Sequence, residues 1–435
     1  MKIPPRVTVP VAFALLCAGA LVAFVWWNLN EATEQLIARK KSTPLVETST
    51  GTTVIEEIPI DPRDQALLHL RQGDIFALRG EWEEAEAEYQ RAVDANGGLP
   101  ALRKLAQAQL QRRDLTGLQE TLHNLKAAGA RAEDVFLIET IILLRTGELV
   151  TAREKLESAE DSPQKHYGLA LLGIIEGNHE AAQNELKNVM GGWEPTLRSY
   201  ARSLQSAYDE FALFPEGKNM HLVTLLSRAL AQVQECELAL PLLAQVTQQQ
   251  DDYRDAWIVR GYCELTTERF GEALTSLERA YNLNPEKPET QYFLARAYAA
   301  LGQHDNAITF LEYALENGFE PQAEVRRILA AEALTKGDNG LALRQYEALT
   351  QEKDVTMESF EGYVTTALAL GRKEEASAMA QRALERFPEN AVAYDLSGWT
   401  LAALDRKEEA RAALTRALEI DPLLASAKER LEKLK

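Results

Sequence analysis

The chain has 435 residues, 46 % of them hydrophobic, and a formal net charge of −19 with histidine neutral. Phosphate backbones repel so acidic a surface, so nucleic acid is not an expected partner, and the charge also keeps an elongated helical protein in solution. The six histidines and three cysteines show no metal-ligand spacing, and no phosphate loop or nucleophile elbow is present, so no catalytic residue, metal or cofactor is expected.

Residues 1–6 form a short basic head with Lys2 and Arg6. Val7–Trp27 then runs without a charge for 21 residues. As a helix this spans roughly 31 Å, about the thickness of a bilayer's hydrocarbon. Trp26 and Trp27 close the run, where aromatic rings favour the lipid–water interface. Two readings are open, a transmembrane helix or a signal peptide. Ala18-Gly19-Ala20 has the small residues of a cleavage site. The apolar run continues past it through Leu21–Trp27, which favours an uncleaved anchor. The basic head favours the cytoplasm and places the bulk of the chain outside it, although Arg39, Lys40 and Lys41 pull the other way. Residues 28–61 read as a juxtamembrane segment followed by a flexible Ser/Thr/Pro linker. About 19 residues of such chain span roughly 25 Å.

Residues 66–196 then carry a helical apolar period with irregular register, with Ala85, Ala152 and Ala182 at one repeated position. Pro100–Ala132 is the poorest unit, with Gln107, Gln119 and Lys126 where small residues are expected. Residues 197–219 read as one amphipathic helix. It is either a degenerate half-repeat or an inserted element that changes the direction of the array. The regular block is 220–424, where Ala239, Ala273, Ala307, Ala342, Ala376 and Ala410 lie 34 or 35 residues apart. A fixed period of this size means a small structural unit that stacks on its copies. With that alanine as position 20, small residues recur at position 8 (Gly261, Ala295, Gly398) and at position 27 (Ala280, Ala314, Ala417). Leu243, Leu277 and Leu414 hold position 24, and Pro285, Pro388 and Pro422 stop the second helix. Residues 425–435 alternate charge with Ala and Leu and read as the polar cap that a helical stack needs.

The pattern resembles the tetratricopeptide repeat, whose unit of about 34 residues carries small residues at these positions. Arg254–Lys287 matches best, and the resemblance extends over Ala66–Leu424 in about ten units. It implies an all-α solenoid, a right-handed superhelix of antiparallel helix pairs, here preceded by one transmembrane helix and a flexible linker. In that family the groove is lined by positions 2, 5, 9, 12 and 13 of each first helix. Carried over, these are Arg228, Ile258, Tyr262, Tyr292, Arg296, Arg327, Thr365 and Trp399, with His221, Asp255, Glu289, Glu361 and Asp395 beside them. The family's carboxylate grip needs Lys at 5 and Asn at 9, and no unit here has both. Tyr262, Tyr292, Arg296 and Arg327 are of the types that grip partner segments, unless they serve only to pack repeats.

Cys236 and Cys263 fall on core positions of adjacent units and read as small core residues, a disulfide being the alternative. The expected function is a membrane-anchored, non-catalytic scaffold that binds a protein or peptide segment at a bacterial envelope. Its array would lie outside the cytoplasm of the inner membrane. The alternatives are a regulatory or substrate-recruiting subunit of a membrane-bound enzyme complex and a self-associating architectural array. Complexes for cell-wall or polysaccharide synthesis, cytochrome maturation or secretion fit the former. Nothing in the sequence sets the oligomeric state or names the partner.

Overall fold

A computed structural model describes residues 62–214 and 216–434. The expected membrane helix and linker lie outside the described residues. Among the described residues there are 22 α-helices and no strand, and no helix is long and apolar enough to cross a membrane.

Four helix pairs come first: α1 (Pro62–Arg79) with α2 (Trp82–Asp94), α3 (Gly98–Arg112) with α4 (Leu115–Ala127), α5 (Ala132–Arg145) with α6 (Leu149–Ser158), and α7 (Pro163–Ile175) with α8 (His179–Gly191). A single helix, α9 (Pro195–Ala212), interrupts the alternation. Six further pairs follow, from α10 (Asn219–Gln232) and α11 (Cys236–Gln249) through α12 (Arg254–Thr266), α13 (Phe270–Leu283), α14 (Pro288–Ala300), α15 (His304–Glu316), α16 (Gln322–Thr335), α17 (Asn339–Leu349), α18 (Met357–Ala369) and α19 (Lys373–Arg386) to α20 (Ala391–Ala403) and α21 (Lys407–Ile420). The stack ends on α22 (Ala425–Lys433).

The repeated alanine is where two helices of a pair touch. All six copies in the regular block are 0 % exposed, as are Ala85, Ala152 and Ala182. The small residue at position 8 makes room for the large one at position 24. A Cβ on Gly261 would lie 2.4 Å from Leu277 Cγ, and one on Gly398 would lie 2.6 Å from Leu414 Cγ. Gly73 stands in the same relation to the ring of Tyr89, 2.5 Å away. Each position-24 side chain is thereby buried against the backbone of its own partner helix. Full burial of one such leucine is worth about 1.5–3 kcal/mol.

Turns and stops follow the chemistry of the loops. Gly302, Gly337 and Gly371 close first helices at φ between 71° and 77°, which suits a residue without Cβ. Asp405 takes that role before α21 at φ 62°, a conformation that aspartate tolerates better than most side chains. Asp114, Ser162, Asp338 and Asn390 cap the helices that follow them by accepting backbone N–H groups. Pro285, Pro388 and Pro422 fall just past the ends of α13, α19 and α21.

The second unit differs from its expected register. Gln107, Gln119 and Lys126 are exposed, whereas Ala106, Leu118 and Leu125, one residue earlier, are all fully buried. The unit is in frame when begun at Leu99, with leucine at position 20, where the other units have alanine, and at position 27, where Leu349 also stands in its unit. The inserted helix is also displaced, ending at Ala212 before the turn into α10. It buries Leu197, Ala201, Leu204 and Tyr208, a helical stripe, against its neighbours.

The unpaired helix shifts the array by half a unit, and two distant segments meet. The Arg145 side chain, 4 % exposed, reaches from the end of α5 to the turn before α11. Its guanidinium donates to Glu235 Oε2 at 2.8 Å, to the Gln234 carbonyl at 3.0 Å and to the Leu110 carbonyl at 3.0 Å. Arg113 pairs with Glu237 at 2.7 Å beside it. Burial pushes the Glu235 carboxyl above its ordinary value, and Arg145 pulls it back. This clasp ties residues 90 positions apart.

Candidate functional site

The groove positions of the regular block lie on α10, α12, α14, α16, α18 and α20. The structure assembles part of the expected cluster. Tyr292, on α14, is 3 % exposed and stacks on Phe319 with ring centroids 4.3 Å apart. Its hydroxyl donates to a Glu324 carboxylate oxygen on α16. Burial first, and then Glu324, push the Tyr292 phenol well above its ordinary value, so it is a neutral donor. Tyr292 is therefore a floor and not a contact residue. The Arg296 guanidinium, one turn on, lies 5.8 Å from the Tyr292 ring centroid. Arg327 lies three residues past Glu324, on the same face of α16. Arg296 thus follows Tyr292, and Arg327 follows Glu324, by about one helical turn.

Both guanidiniums are exposed, and among the described residues neither has a carboxylate at ion-pairing distance. Arg326, Arg382 and Arg386 likewise lack one and bond to Gln, Met and a backbone carbonyl instead, whereas other arginines are paired. Arg228 pairs with Glu210, Arg254 with Asp255, Arg260 with Glu264 and Arg279 with Asp251. Tyr262, half-buried on α12, extends the aromatic floor, its ring 5.3 Å from that of Phe293. Burial raises its phenol too. Ile258 is half-buried one turn before it, and Thr365 is exposed on α18.

Several expected groove positions are engaged from within the chain, Arg228 with Glu210 among them. Asp395 is 2 % exposed and accepts from Ser426 Oγ at 2.7 Å and from Arg430, both on the capping helix α22. Arg430 lies over the Trp399 ring at 4.1 Å. The cap covers this end of the face, because a terminal pair has no next unit to bury it. His221 meets the Tyr253 hydroxyl at 2.9 Å and the edge of Phe214. Asp255 and Glu289 pair with Arg254 and Lys287, and Glu361 is exposed. Cys236 and Cys263 are buried free thiols, and burial pushes the Cys263 thiol far up.

Sequence reasoning passed over Glu324 and the two phenylalanines. Glu324 is position 2 of its unit, so the family frame contained the signal. Phe319 lies in the connection before α16 and carries no periodic mark.

Repeat profiles described as "Tetratricopeptide repeat" match residues 61–100, 224–288, 264–332 and 364–425. The chain is a tetratricopeptide repeat protein. Its helix pairs also match solved structures. One is YrrB, a TPR protein with an unusual peptide-binding site, at 18 % identity over 44 % of this chain and 97 % of that one, TM-score 0.39. A tetratricopeptide repeat protein from Parabacteroides merdae matches at 18 % identity over 62 % of this chain and 98 % of that one, TM-score 0.33. TTC0263, a thermophilic TPR protein in Thermus thermophilus, matches at 21 % identity over 48 % and 100 %, TM-score 0.30. No curated protein matches the chain. Tetratricopeptide arrays are protein–protein interaction scaffolds, and the first-helix face is where they take peptides or proteins.

Proposed function

We infer that this tetratricopeptide array is a non-catalytic, membrane-tethered scaffold that captures an acidic segment of a partner protein on Arg296 and Arg327. The single observation behind this reading is the pair of exposed arginines without carboxylates on a chain of net charge −19. An acidic partner segment supplies what the chain withholds there. Guanidinium suits carboxylate through paired N–H donors, and the Tyr292–Phe319 stack beneath gives a rigid apolar floor. Tethering rests on the uncharged run 7–27, and the basic head favours an array outside the cytoplasm of a bacterial envelope.

The test is a crosslinking pull-down of the full chain from native membranes, with wild type beside the Arg296→Glu/Arg327→Glu pair. Both side chains are exposed, so the variant keeps its helical circular dichroism. The expected result is loss of the crosslinked partner. Undiminished capture by a folded variant refutes the arginine site. A reporter fused at Lys435 reads topology, and a cytoplasmic signal overturns the outside placement.

A further inference from the structure

The helix that opens the array carries an apolar ridge. On α1, Leu67, Leu68, Ile75 and Leu78 share one face with Arg71 and Arg79, at helical steps of three and four. Leu67, Leu68 and Ile75 are about half exposed, and Leu78 is 88 % exposed. Leu70, Gly73, Phe76 and Ala77 turn the other way, into the core around Tyr89. Among the described residues, α1 packs against α2 and α3. Single exposed aliphatic side chains are ordinary, but four on one face of one helix mark a contact surface.

The charges on the ridge narrow what can cover it. Arg71 sits midway among the aliphatic side chains, and among the described residues no carboxylate lies at ion-pairing distance from it. Arg79 has Glu81 at 4.0 Å, an exposed and weak pair. Asp64 stands at the opposite end of the helix. A second copy laid along the ridge, parallel or antiparallel about its middle, brings two Arg71 side chains together at the centre with no acid between them. Like charges oppose that contact. A peptide segment docks in a groove, whereas the outer face of one helix is convex.

A lipid surface suits both features. Acyl chains take the aliphatic side chains without demanding a matching shape. Headgroup phosphates take Arg71 and Arg79, whose long stems reach past the apolar surface. A bilayer is also the surface nearest to hand. In sequence α1 follows the uncharged run 7–27 and the linker, and about 19 residues of such linker span roughly 25 Å.

We propose that α1 is an interfacial helix, which lies on the bilayer with Leu67, Leu68, Ile75 and Leu78 at the acyl boundary and Arg71 and Arg79 on lipid phosphates. Its proximity to the bilayer rests on the tethered reading given above. Leu78 is the most exposed of the four, so the C-terminal end of α1 sits deeper and Asp64 stays toward water. The net charge of −19 works against an anionic membrane, so the apolar contact carries the docking.

The experiment uses the full chain in vesicles of phosphatidylcholine and phosphatidylglycerol. Cys17→Ser leaves Cys236 and Cys263, which are buried and escape labelling. A nitrobenzoxadiazole probe is placed in turn at Ile75→Cys, at Leu78→Cys and, as a control on α21, at Glu408→Cys. Emission at the two α1 positions is expected to be blue-shifted, and to be quenched when brominated phosphatidylcholine replaces the ordinary lipid. Emission at Glu408→Cys is not. Leu67→Glu/Leu68→Glu changes two exposed positions, keeps the helical circular dichroism and abolishes the quenching, and Arg71→Glu weakens it. Probes on α1 that read water in the folded chain overturn the proposal, as does equal quenching at Glu408→Cys. A blue shift without bromine quenching overturns it too. Loss of that shift on dilution then assigns the ridge to a second copy, and its persistence assigns the ridge to a protein cover. A carbonate wash reads the tether by itself. A chain that withstands the wash with unquenched α1 probes keeps the tether and refutes the docking. A chain that the wash releases after its probes were quenched supports the docking and refutes the tether.

Discussion

Replacing Arg145 with methionine tests how the array is held together. The side chain is 4 % exposed and donates to three acceptors in two segments remote from its own helix. Methionine keeps most of the stem and removes every donor. Glu235, itself 4 % exposed, then keeps a buried charge, with the neighbouring Arg113 held by Glu237. Breaking one side of a buried ion pair costs about 3–5 kcal/mol. The Leu110 and Gln234 carbonyls lose their guanidinium donor as well, which works in the same direction.

The cost depends on pH in a defined sense. Burial already raises the Glu235 carboxyl in the folded chain, and loss of Arg145 raises it further. A carboxyl whose folded value lies above its unfolded value loses stability as pH rises through the folded value. The Arg145→Met variant is therefore less impaired at acidic pH than at alkaline pH. Lost packing alone has no such dependence.

A repeat array unfolds by neighbouring units, so a global midpoint is a blunt measure. Hydrogen exchange resolved by segment is the suitable assay. The expected loss of protection is about two to four orders of magnitude, using about 1.36 kcal/mol per decade. It should appear in 98–112, 132–145 and 219–249, and 391–433 should be unchanged. Replacing both partners, Arg145→Met with Glu235→Leu, should recover most of the loss, because an apolar pair leaves no buried charge. A single-variant loss below about one decade, or a double variant no better than the single, refutes the reasoning.

Other perturbations test separate parts of the structure. Gly261→Ala puts a Cβ 2.4 Å from Leu277 Cγ, and overpacking of this kind costs about 1–3 kcal/mol, read as exchange protection lost in 254–283. Tyr167→Phe removes a fully buried hydroxyl that has no hydrogen-bond partner, so thermal unfolding should show no loss and a gain of up to about 1 kcal/mol. A clear loss there means the hydroxyl has a partner. Asp395→Ala frees α22 from Ser426 and Arg430 contacts and uncovers Trp399, which should red-shift tryptophan emission and expose the end of the chain to proteolysis.

Much of the fold is written in the spacing of small residues. The alanine at position 20 and the glycines opposite Leu277 and Leu414 mark helix contact by size alone. Size at a fixed period is a local property that a sequence displays directly. The first-helix starts at Arg254, Pro288, Met357 and Ala391 coincide with observed helix starts for that reason. Exposure along the groove was less legible. Tyr292 and Trp399 have the residue types of a binding face, yet one is buried on Phe319 and the other covered by Arg430. Those outcomes depend on a connection and on a cap that lie outside the periodic frame.

What the sequence determined by itself is the unit: two helices, their contact residues and the positions where one pair meets the next. These follow from contacts within about one period of the chain. Tertiary structure decided what happens between units that are not neighbours. The unpaired helix Pro195–Ala212 breaks the alternation, and Arg145 meets Glu235, 90 positions on. That contact has no periodic signature, because it arises where the repeat is broken and the geometry of the stack sets who meets whom.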